Sequence, residues 1–192
     1  ILKYTGIVCI KSTVPPGTSK SLKQKYKKMR IINCPEFLRE RYAYKDFVNY
    51  GLCIIGSDYK NNKDIKFVKS LHKPFTKEFK VVTLTEAELI KYFHNTYNAL
   101  RVVFANSFFD LTKFYSSNYD KVLEMVCLRN GITNKYLQCS KNIRGFAGYC
   151  LPKDTSSLSS IVKKNKLNLN IWKFILEENN KFKKTVFPGM RK

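Results

Sequence analysis

Short apolar runs separated by helix-length connections occupy the first 83 residues of the chain. Four runs have the β-branched composition of buried strands: GIVCI at 6–10, MRIINC at 29–34, GLCIIG at 51–56 and FKVVTL at 79–84. Between them, a helix is expected from Ser19 to Lys28, and Ile65, Val68 and Leu71 have helical spacing. Strands that alternate with helices predict an α/β unit built on a parallel sheet.

A long helix is predicted next, because no glycine or proline interrupts residues 83–115. Thr85 and Glu88 have the spacing of a capping box, so we expect this helix of about 30 residues to begin there. Lys91 and Asn95 lie opposite an apolar sector of the helix at about 100° per residue. Five large apolar side chains form that sector: Leu89, Phe93, Leu100, Phe104 and Leu111.

More helices are predicted toward the C-terminal end of the chain, at residues 120–128, 155–164 and 169–181. The predicted fold class is therefore α/β followed by all-α. We expect two domains, with the sheet in residues 1–83 and the long connecting helix and a helical part in residues 84–192.

The formal net charge is +22, from 36 basic and 14 acidic residues. A surplus of this size draws attention to nucleic acids. The lysines are spread along the whole chain, however, and no run reaches the five contiguous basic residues of a binding arm. We therefore expect lysines on solvated surfaces and no nucleic-acid partner. Non-specific nucleic-acid binding is the weakest alternative, and its affinity would fall steeply with salt.

Six cysteines and two histidines are present without any C-x-x-C pair, so no metal site is predicted. Cys9 and Cys53 lie in apolar runs, where thiols act as small buried hydrophobes, and this suits a reducing compartment. The start of the chain lacks the features of a signal peptide, and no run approaches the roughly 20 apolar residues of a membrane span. We expect a cytoplasmic protein without a membrane partner.

The segment GFAGYCLPKDT, residues 145–155, carries the most specific candidate chemistry. Two glycines beside Cys150, followed by a proline and the pair Lys153 and Asp154, place a thiol at a loop-to-helix junction. Backbone N–H groups, the helix dipole and Lys153 would favour the thiolate there, and a thiolate can attack an aldehyde carbon. The alternative is an inert cysteine buried in a glycine-containing turn.

Four segments in the same order resemble the UDP-glucose/GDP-mannose dehydrogenase family, the nucleotide-sugar 6-dehydrogenases, over about residues 5–165. The segment around Cys150 is similar to the family signature GG-x-C-x-PKD, although Ala147 stands where the family generally has a second glycine. The other segments are KSTVPPG at 11–17, CPEFLRE at 34–40 and AELIKYFHNTYNALRVVFAN at 87–106.

The resemblance implies the C-terminal part of a Rossmann-like, NAD-binding sheet domain, joined by the long helix to a helical central domain that forms a homodimer. No G-x-G-x-x-G fingerprint occurs in the chain, and the family's C-terminal domain has no match. We therefore expect a fragment of a longer product, a split subunit or a decayed copy. A truncated, inactive dimerisation module is the main alternative to an active enzyme.

The implied activity is oxidation of a nucleotide sugar, with UDP-glucose as the first candidate, at C6 to the uronate with NAD as cofactor. Cys150 would capture the intermediate aldehyde as a thiohemiacetal, which is oxidised to a thioester and hydrolysed. Lys91 and Asn95, one helical turn apart, would stabilise oxyanions, and Asp154 would orient this group. Glu36 would act as the general base or position water for hydrolysis.

The resemblance also implies binding contacts. The substrate would contact Glu36, Phe37, Leu38, Arg39, Lys91 and Asn95, and NAD would contact Thr13, Glu40 and Lys153. Without the resemblance, Lys91 and Asn95 would be interpreted as a solvent-facing helix stripe and Thr13 as a turn residue. The two glutamates would be interpreted as members of surface salt bridges, which contribute little stability.

Overall fold

The computed structural model of the chain describes residues 6–49, 51–58, 63–182 and 184–185. These residues form two compact units, and the boundary falls inside a long helix between Phe93 and His94. The first unit contains the sheet, and the second is helical. The predicted order of α/β followed by all-α is therefore confirmed.

A four-stranded sheet forms the centre of the first unit, in the order β1-β2-β3-β4. The strands are β1 (Ile7–Ile10), β2 (Arg30–Asn33), β3 (Leu52–Gly56) and β4 (Glu78–Val82). β1 and β2 are parallel, as are β3 and β4, but β2 meets β3 antiparallel at Asn33 and Gly56. The sheet is therefore mostly parallel, as predicted, and the pairing of β2 with β3 is its one antiparallel junction among the described strands.

The connection from β2 to β3 explains the antiparallel junction. It holds only a 3-10 helix, Glu40–Tyr42, and the six-residue helix α2 (Ala43–Val48). A parallel crossover needs a dozen or more residues that are usually built as a full helix packed on the sheet. This connection contains no such full helix, and β3 runs in the opposite direction to β2.

The remaining helices are α1 (Thr18–Lys25), α3 (Lys63–His72), α4 (Leu84–Phe114), α5 (Tyr119–Cys127), α6 (Cys150–Lys164) and α7 (Ile171–Asn180). α1 ends at Lys25, three residues before the predicted Lys28, because the backbone of Tyr26 leaves the helical conformation with a φ of −115° and a ψ of 71°. α6 begins five residues before the predicted Thr155. Pro152 does not delay it, because a proline in the first turn lacks only an N–H that has no helical partner.

α4 begins at Leu84, one residue before the predicted capping residue Thr85. The capping box is formed by Thr83 and Glu86: the N–H of Thr83 donates to Glu86 Oε2 at 2.7 Å, and the N–H of Glu86 donates to Thr83 Oγ1 at 3.3 Å. The predicted pair of Thr85 and Glu88 is wrong because Glu88 is buried and binds α1.

Apolar strand residues pack against α3 to form the core of the first unit. Its buried members are Ile32, Cys34, Cys53, Ile55, Ile65 and Val68. A Cβ added at Gly56 would lie 2.5 Å from Ala87 Cβ, so the glycine lets β3 and the start of α4 approach closely. Cys53 is buried as expected, whereas Cys9 is exposed, because β1 is an edge strand of the described sheet.

Two apolar clusters hold the helices of the second unit together. The first joins α4 to α7 and to the loop before α6, through Ala99, Val103, Phe146 and Ile175. The second joins α4 to α5 and to the segment after it, through Ala105, Phe109, Tyr119 and Cys139. Small alanines on this side of α4 allow close packing of neighbouring segments.

The predicted apolar sector of α4 lies on the surface of this chain. Phe93 is 73% exposed, and Leu89, Phe104 and Leu111 are exposed as well. The opposite side, which carries Lys91 and Asn95, is buried instead. Burial along α4 is therefore the reverse of what a simple amphipathic helix would show.

Candidate active site

The ammonium group of Lys91 is buried in the first unit. Lys91 is 5% exposed, although lysines are almost never buried unless they are paired. Its Nζ donates to the backbone carbonyl of Glu36, lies 3.7 Å from Glu36 Oε1, and lies 5.1 Å from the centre of the Phe37 ring. A carbonyl, a carboxylate and a ring face thus replace the water that a charged amine otherwise requires.

The loop after β2 is fixed by two carboxylates. Glu36 Oε2 accepts a hydrogen bond from the N–H of Leu38 at 2.6 Å, which folds the side chain back onto its own loop. Asp46 accepts from the backbone N–H and the Nε of Arg39, both at 2.9 Å, and from its Nη2 at 2.7 Å. The predicted substrate segment is therefore held by hydrogen bonds from two carboxylates of the same region of the chain.

Thr13 and Glu40, two predicted cofactor residues, lie on loops that follow strands. Thr13 is half-buried between β1 and α1, and Glu40 is exposed at the start of the 3-10 helix. β1 and β2 are parallel, so both loops leave the same edge of this strand pair. Nucleotides bind outside the carboxyl ends of the strands in open α/β sheets.

Glu88 holds the loop after β1 in place, a role that the sequence interpretation missed. Its Oε1 accepts from the N–H and the Oγ of Ser19, at 2.7 and 2.6 Å, and its Oε2 accepts from the N–H of Gly17 at 2.6 Å. A carboxylate at the N-terminus of α1 satisfies N–H groups that have no helical partner. In the sequence, Glu88 lies between the apolar residues Ala87 and Leu89 at the start of α4. This position is the sequence signal from which a buried carboxylate could have been predicted.

Asn95 and Asp154 form a buried pair in the second unit. The Nδ2 of Asn95 donates to Asp154 Oδ2 at 2.5 Å, and the Nζ of Lys153 donates to Asp154 Oδ1 at 2.6 Å. Asp154 is 1% exposed and Asn95 is 5% exposed. The carboxylate is thus held by an amide and an ammonium group, which satisfy its two oxygens.

Cys150 is the first residue of α6 and is exposed to solvent. Asp154 follows one helical turn later, on the same helix. Gly148, two residues before the cysteine, has a φ of 80°, a left-handed conformation that glycine adopts at no steric cost. The backbone therefore turns sharply just before the helix and places the thiol at a helix N-terminus.

The structure decides between several of the alternatives. Cys150 is exposed, so the alternative of a buried cysteine does not apply to it. Lys91 and Asn95 are buried, so they do not belong to a solvent-facing stripe. Glu36 contacts Lys91, in place of the exposed salt bridge considered for it. Lys153 pairs with Asp154, a contact that was not expected for a residue assigned to NAD.

Three thiols line up across the sheet in the first unit. Cys34 lies next to Cys9 and to Cys53, and its S–H group as a hydrogen-bond donor lowers the pKa of each neighbour; that of Cys9 falls to about 7. The two neighbouring thiols and burial raise the pKa of Cys34 itself. The central thiol therefore keeps its proton.

In the described ranges, no group of three histidine, cysteine or acidic side chains is arranged to hold a metal ion. None of the helices in the same ranges combines the length and apolar character needed to cross a bilayer.

Two domain models of one family match the chain. The NAD binding domain of the UDP-glucose/GDP-mannose dehydrogenase family matches residues 1–76, and its central domain matches residues 85–181. The central-domain match extends beyond residue 165, where the resemblance seen in the sequence ended.

Curated proteins and solved structures are similar to the same region. The UDP-glucose 6-dehydrogenase TuaD of Bacillus subtilis is 34% identical over 182 residues, which cover 91% of this chain and 38% of the relative. The UDP-glucose 6-dehydrogenase of Campylobacter jejuni is 37% identical over 153 residues, which cover 79% and 38%. A UDP-glucose dehydrogenase structure from Pyrobaculum islandicum superposes with a TM-score of 0.82 at 30% identity, covering 92% of this chain and 42% of that one. The chain thus spans about two fifths of the length of these relatives.

Proposed function

Because this chain belongs to the UDP-glucose/GDP-mannose dehydrogenase family, we propose that it serves the NAD-dependent oxidation of a nucleotide sugar at C6, with UDP-glucose as the first substrate to test. One observation carries the proposal. An exposed cysteine begins α6, and one turn later a buried carboxylate is held by Asn95 and Lys153. A reactive thiol beside a fixed, fully bonded carboxylate suits covalent catalysis.

The cofactor of the proposed reaction is NAD, which accepts two electrons as hydride when it is bound. Thr13 and Glu40 lie on loops that fit a nucleotide at the carboxyl edge of β1 and β2. The N–H groups of Gly17 and Ser19 are bonded to Glu88. They are therefore not the groups that would hold the pyrophosphate, and we assign to NAD only the two loops and Lys153.

Cys150 would retain the sugar between the two oxidations. The C6 alcohol first loses a hydride and a proton to become an aldehyde. The sulfur of Cys150 then forms a bond to C6, and the carbonyl oxygen takes a proton to give a thiohemiacetal. Loss of a second hydride and proton gives a thioester, so the carbon is oxidised twice without release of the aldehyde.

Lys91 and Asn95 would stabilise negative charge on the C6 oxygen as it develops. Each group is buried within its own unit, and exclusion of water increases the electrostatic effect of a hydrogen-bond donor. Asp154 would fix the orientation of Asn95 through their hydrogen bond. Glu36 would accept a proton from the water that cleaves the C–S bond, which releases the uronate and restores the thiol.

The assay that tests the proposal uses the whole gene product with UDP-glucose and NAD and counts NADH per sugar consumed. The proposal predicts about two NADH per sugar for the wild type, because an alcohol becomes an acid in two hydride transfers. It predicts no uronate from Cys150→Ala, with Cys127→Ala unaffected as the control. Equal activity of Cys150→Ala and the wild type would refute it.

A second function, dimerisation through α4, is favoured by the exposed aromatic residues of that helix. Phe93, Tyr97, Phe104 and Phe108 are all exposed and lie within about one third of the helix circumference. Contiguous exposed apolar surface marks interaction sites. We propose a homodimer, which is compatible with the enzymatic role and is also the function left to the chain if it is inactive.

A further inference from the structure

The side chain of Asn179 binds the backbone of Phe146 from both sides. Its Oδ1 accepts from the N–H of Phe146 at 2.8 Å, and its Nδ2 donates to the carbonyl of Phe146 at 3.0 Å. Asn179 lies on α7 and is 3% exposed. The amide thus replaces the paired groups of a neighbouring strand, and it satisfies two buried polar groups of the loop that leads to Cys150.

A second asparagine fixes the residues just before. Asn106, a buried residue of α4, accepts through Oδ1 from the N–H of Gly145 at 3.1 Å and from the Nε of Arg144 at 2.7 Å. Its Nδ2 donates to the carbonyl of Val102 at 2.8 Å, which determines the orientation of the amide.

Arg144 ties the same loop to α4. Its guanidinium donates to both oxygens of Asp110, at 2.8 and 2.6 Å, and lowers the pKa of that carboxyl. The guanidinium also lies 5.1 Å from the ring centre of Phe109 and 4.8 Å from that of Phe182. This planar clamp exploits the fork geometry that distinguishes arginine from lysine.

The segment that these side chains hold, residues 145–148, begins and ends with glycine. Gly145 has a φ of 58° and Gly148 a φ of 80°, so these two positions permit backbone conformations that other residues rarely adopt. Phe146, between them, is buried in the core. Only three residues separate Phe146 from Cys150, so an anchor at Phe146 limits where the first turn of α6 begins.

We infer that Asn179 is a positioning residue for Cys150, because its double hydrogen bond to Phe146 fixes the loop that determines the place of the thiol at the N-terminus of α6. The inference rests on the proposed role of Cys150. The requirement is chemical: at this position only a side chain with one donor and one acceptor satisfies both groups of Phe146. Alanine leaves both unbonded, and a charged aspartate offers no donor.

In the variant Asn179→Asp, the two hydrogen bonds to Phe146 should depend on pH. The aspartate side chain has the shape of asparagine, and its protonated form has the donor that Phe146 needs. Burial raises the pKa of a carboxyl group, so acid conditions restore the bond in Asn179→Asp. A general loss of packing at this site would not recover as the pH falls.

The experiment measures the rate at which 2,2′-dithiodipyridine modifies Cys150 in the 192-residue chain, with peptide-resolved mass spectrometry. Cys150 is already exposed to the reagent. Loss of the anchor at Phe146 should therefore change the fraction of Cys150 present as thiolate, which the N-terminus of α6 favours, more than the access of the reagent to the sulfur. At pH 7.5 we expect Asn179→Ala to slow the modification by about two- to fivefold, the range of a helix N-terminal effect on an anion. Asn165→Ala is the control, because Asn165 bonds only to Ile161 at an exposed helix end.

The inference is supported if the Asn179→Ala substitution slows modification of Cys150 while the buried Cys139 keeps its low rate of modification. It also requires that the Cys150 modification rate of Asn179→Asp, divided by that of the wild type, returns toward one between pH 7.5 and pH 5. It is overturned if Cys150 in folded Asn179→Ala reacts at the wild-type rate, if Cys139 accelerates as well, or if Asn179→Asp shows no recovery. If Asn179→Ala fails to fold, the isosteric aspartate variant decides. The readout needs no substrate, so an active Cys150→Ala enzyme would refute the proposed function and leave this result standing.

Discussion

The amide of Asn95 donates to the carboxylate of Asp154 at 2.5 Å, and both side chains are buried. Asn95 lies on α4, and Asp154 lies one helical turn after Cys150 on α6. A charge-assisted bond between two helices fixes the carboxylate relative to the residue we propose as nucleophile.

The bond between Asn95 and Asp154 should be measurable as a coupling energy. We expect a double-mutant cycle of Asn95→Ala and Asp154→Ala, followed by urea unfolding of the chain, to give about 1.5–3 kcal/mol, the range for hydrogen bonds to charged groups. Lys153→Ala should cost about 1–3 kcal/mol, because it leaves one oxygen of the buried Asp154 without its partner. A coupling below about 0.5 kcal/mol would mean that the two side chains act independently.

Glu88 should be far more important for stability than its neighbour Glu86. Glu88→Gln places an amide donor against the donors of Gly17 and Ser19, and we expect a loss of about 2–3 kcal/mol in the free energy of unfolding. Glu86→Gln is the matched control, because glutamine also completes a capping box on the exposed start of α4. Equal unfolding midpoints for the two variants would contradict the role assigned to Glu88.

Alkaline conditions should destabilise the second unit. Burial raises the pKa of Cys139 from 9.0 to about 11 and that of Tyr119 from 10.0 to about 12. Both folded values lie above the unfolded ones, so the associated stability is complete below pH 9 and is lost as the pH rises through the folded values. We expect the urea midpoint to fall between pH 9 and pH 12.

The Tyr119→Phe substitution tests whether Tyr119 contributes to this loss of stability at high pH. It removes the bond from the hydroxyl to the carbonyl of Leu137, so the variant should be less stable at neutral pH. Its further loss above pH 9 should be smaller than that of the wild type. Tyr44→Phe is the control, because Tyr44 is exposed. Identical pH profiles for wild type and Tyr119→Phe would exclude Tyr119 as a contributor.

The exposed face of α4 should hold two copies of the chain together. We expect Phe104→Asp to shift the sedimentation coefficient from dimer to monomer, because the substitution would bury two charges in an apolar interface. Phe67→Asp, at an equally exposed phenylalanine on α3, should leave the association unchanged. A wild-type chain that sediments as a monomer at all concentrations would remove the basis for the dimer.

The sequence predicts most of the elements because their signals are local. Short apolar runs rich in β-branched residues locate the strands, and the absence of glycine and proline locates α4. Contacts between distant residues are different. Nothing in the spacing indicates that Glu88 binds α1 or that Asn179 binds Phe146, because each pair is joined only by tertiary packing.

The sequence predicts which residues belong to the candidate site, but it does not predict their burial or their contacts. Family motifs point to Lys91, Asn95 and Asp154, and the structure adds that all three are buried and bonded. Hydrophobic periodicity predicts the reverse for α4, because it treats every apolar face as a core face. The exposed apolar side of this helix fits the dimer surface that we propose, and the sequence pattern does not distinguish such a surface from a core.

Covalent capture at Cys150 is tested most directly by mass spectrometry of the whole gene product. Glu36→Gln should slow hydrolysis of the thioester, so incubation with UDP-glucose and NAD should leave a sugar-nucleotide adduct on the peptide that carries Cys150. The adduct should be absent without NAD and absent when Cys150→Ala is combined with Glu36→Gln. Uronate production by a Cys150→Ala enzyme at the wild-type rate would contradict the account.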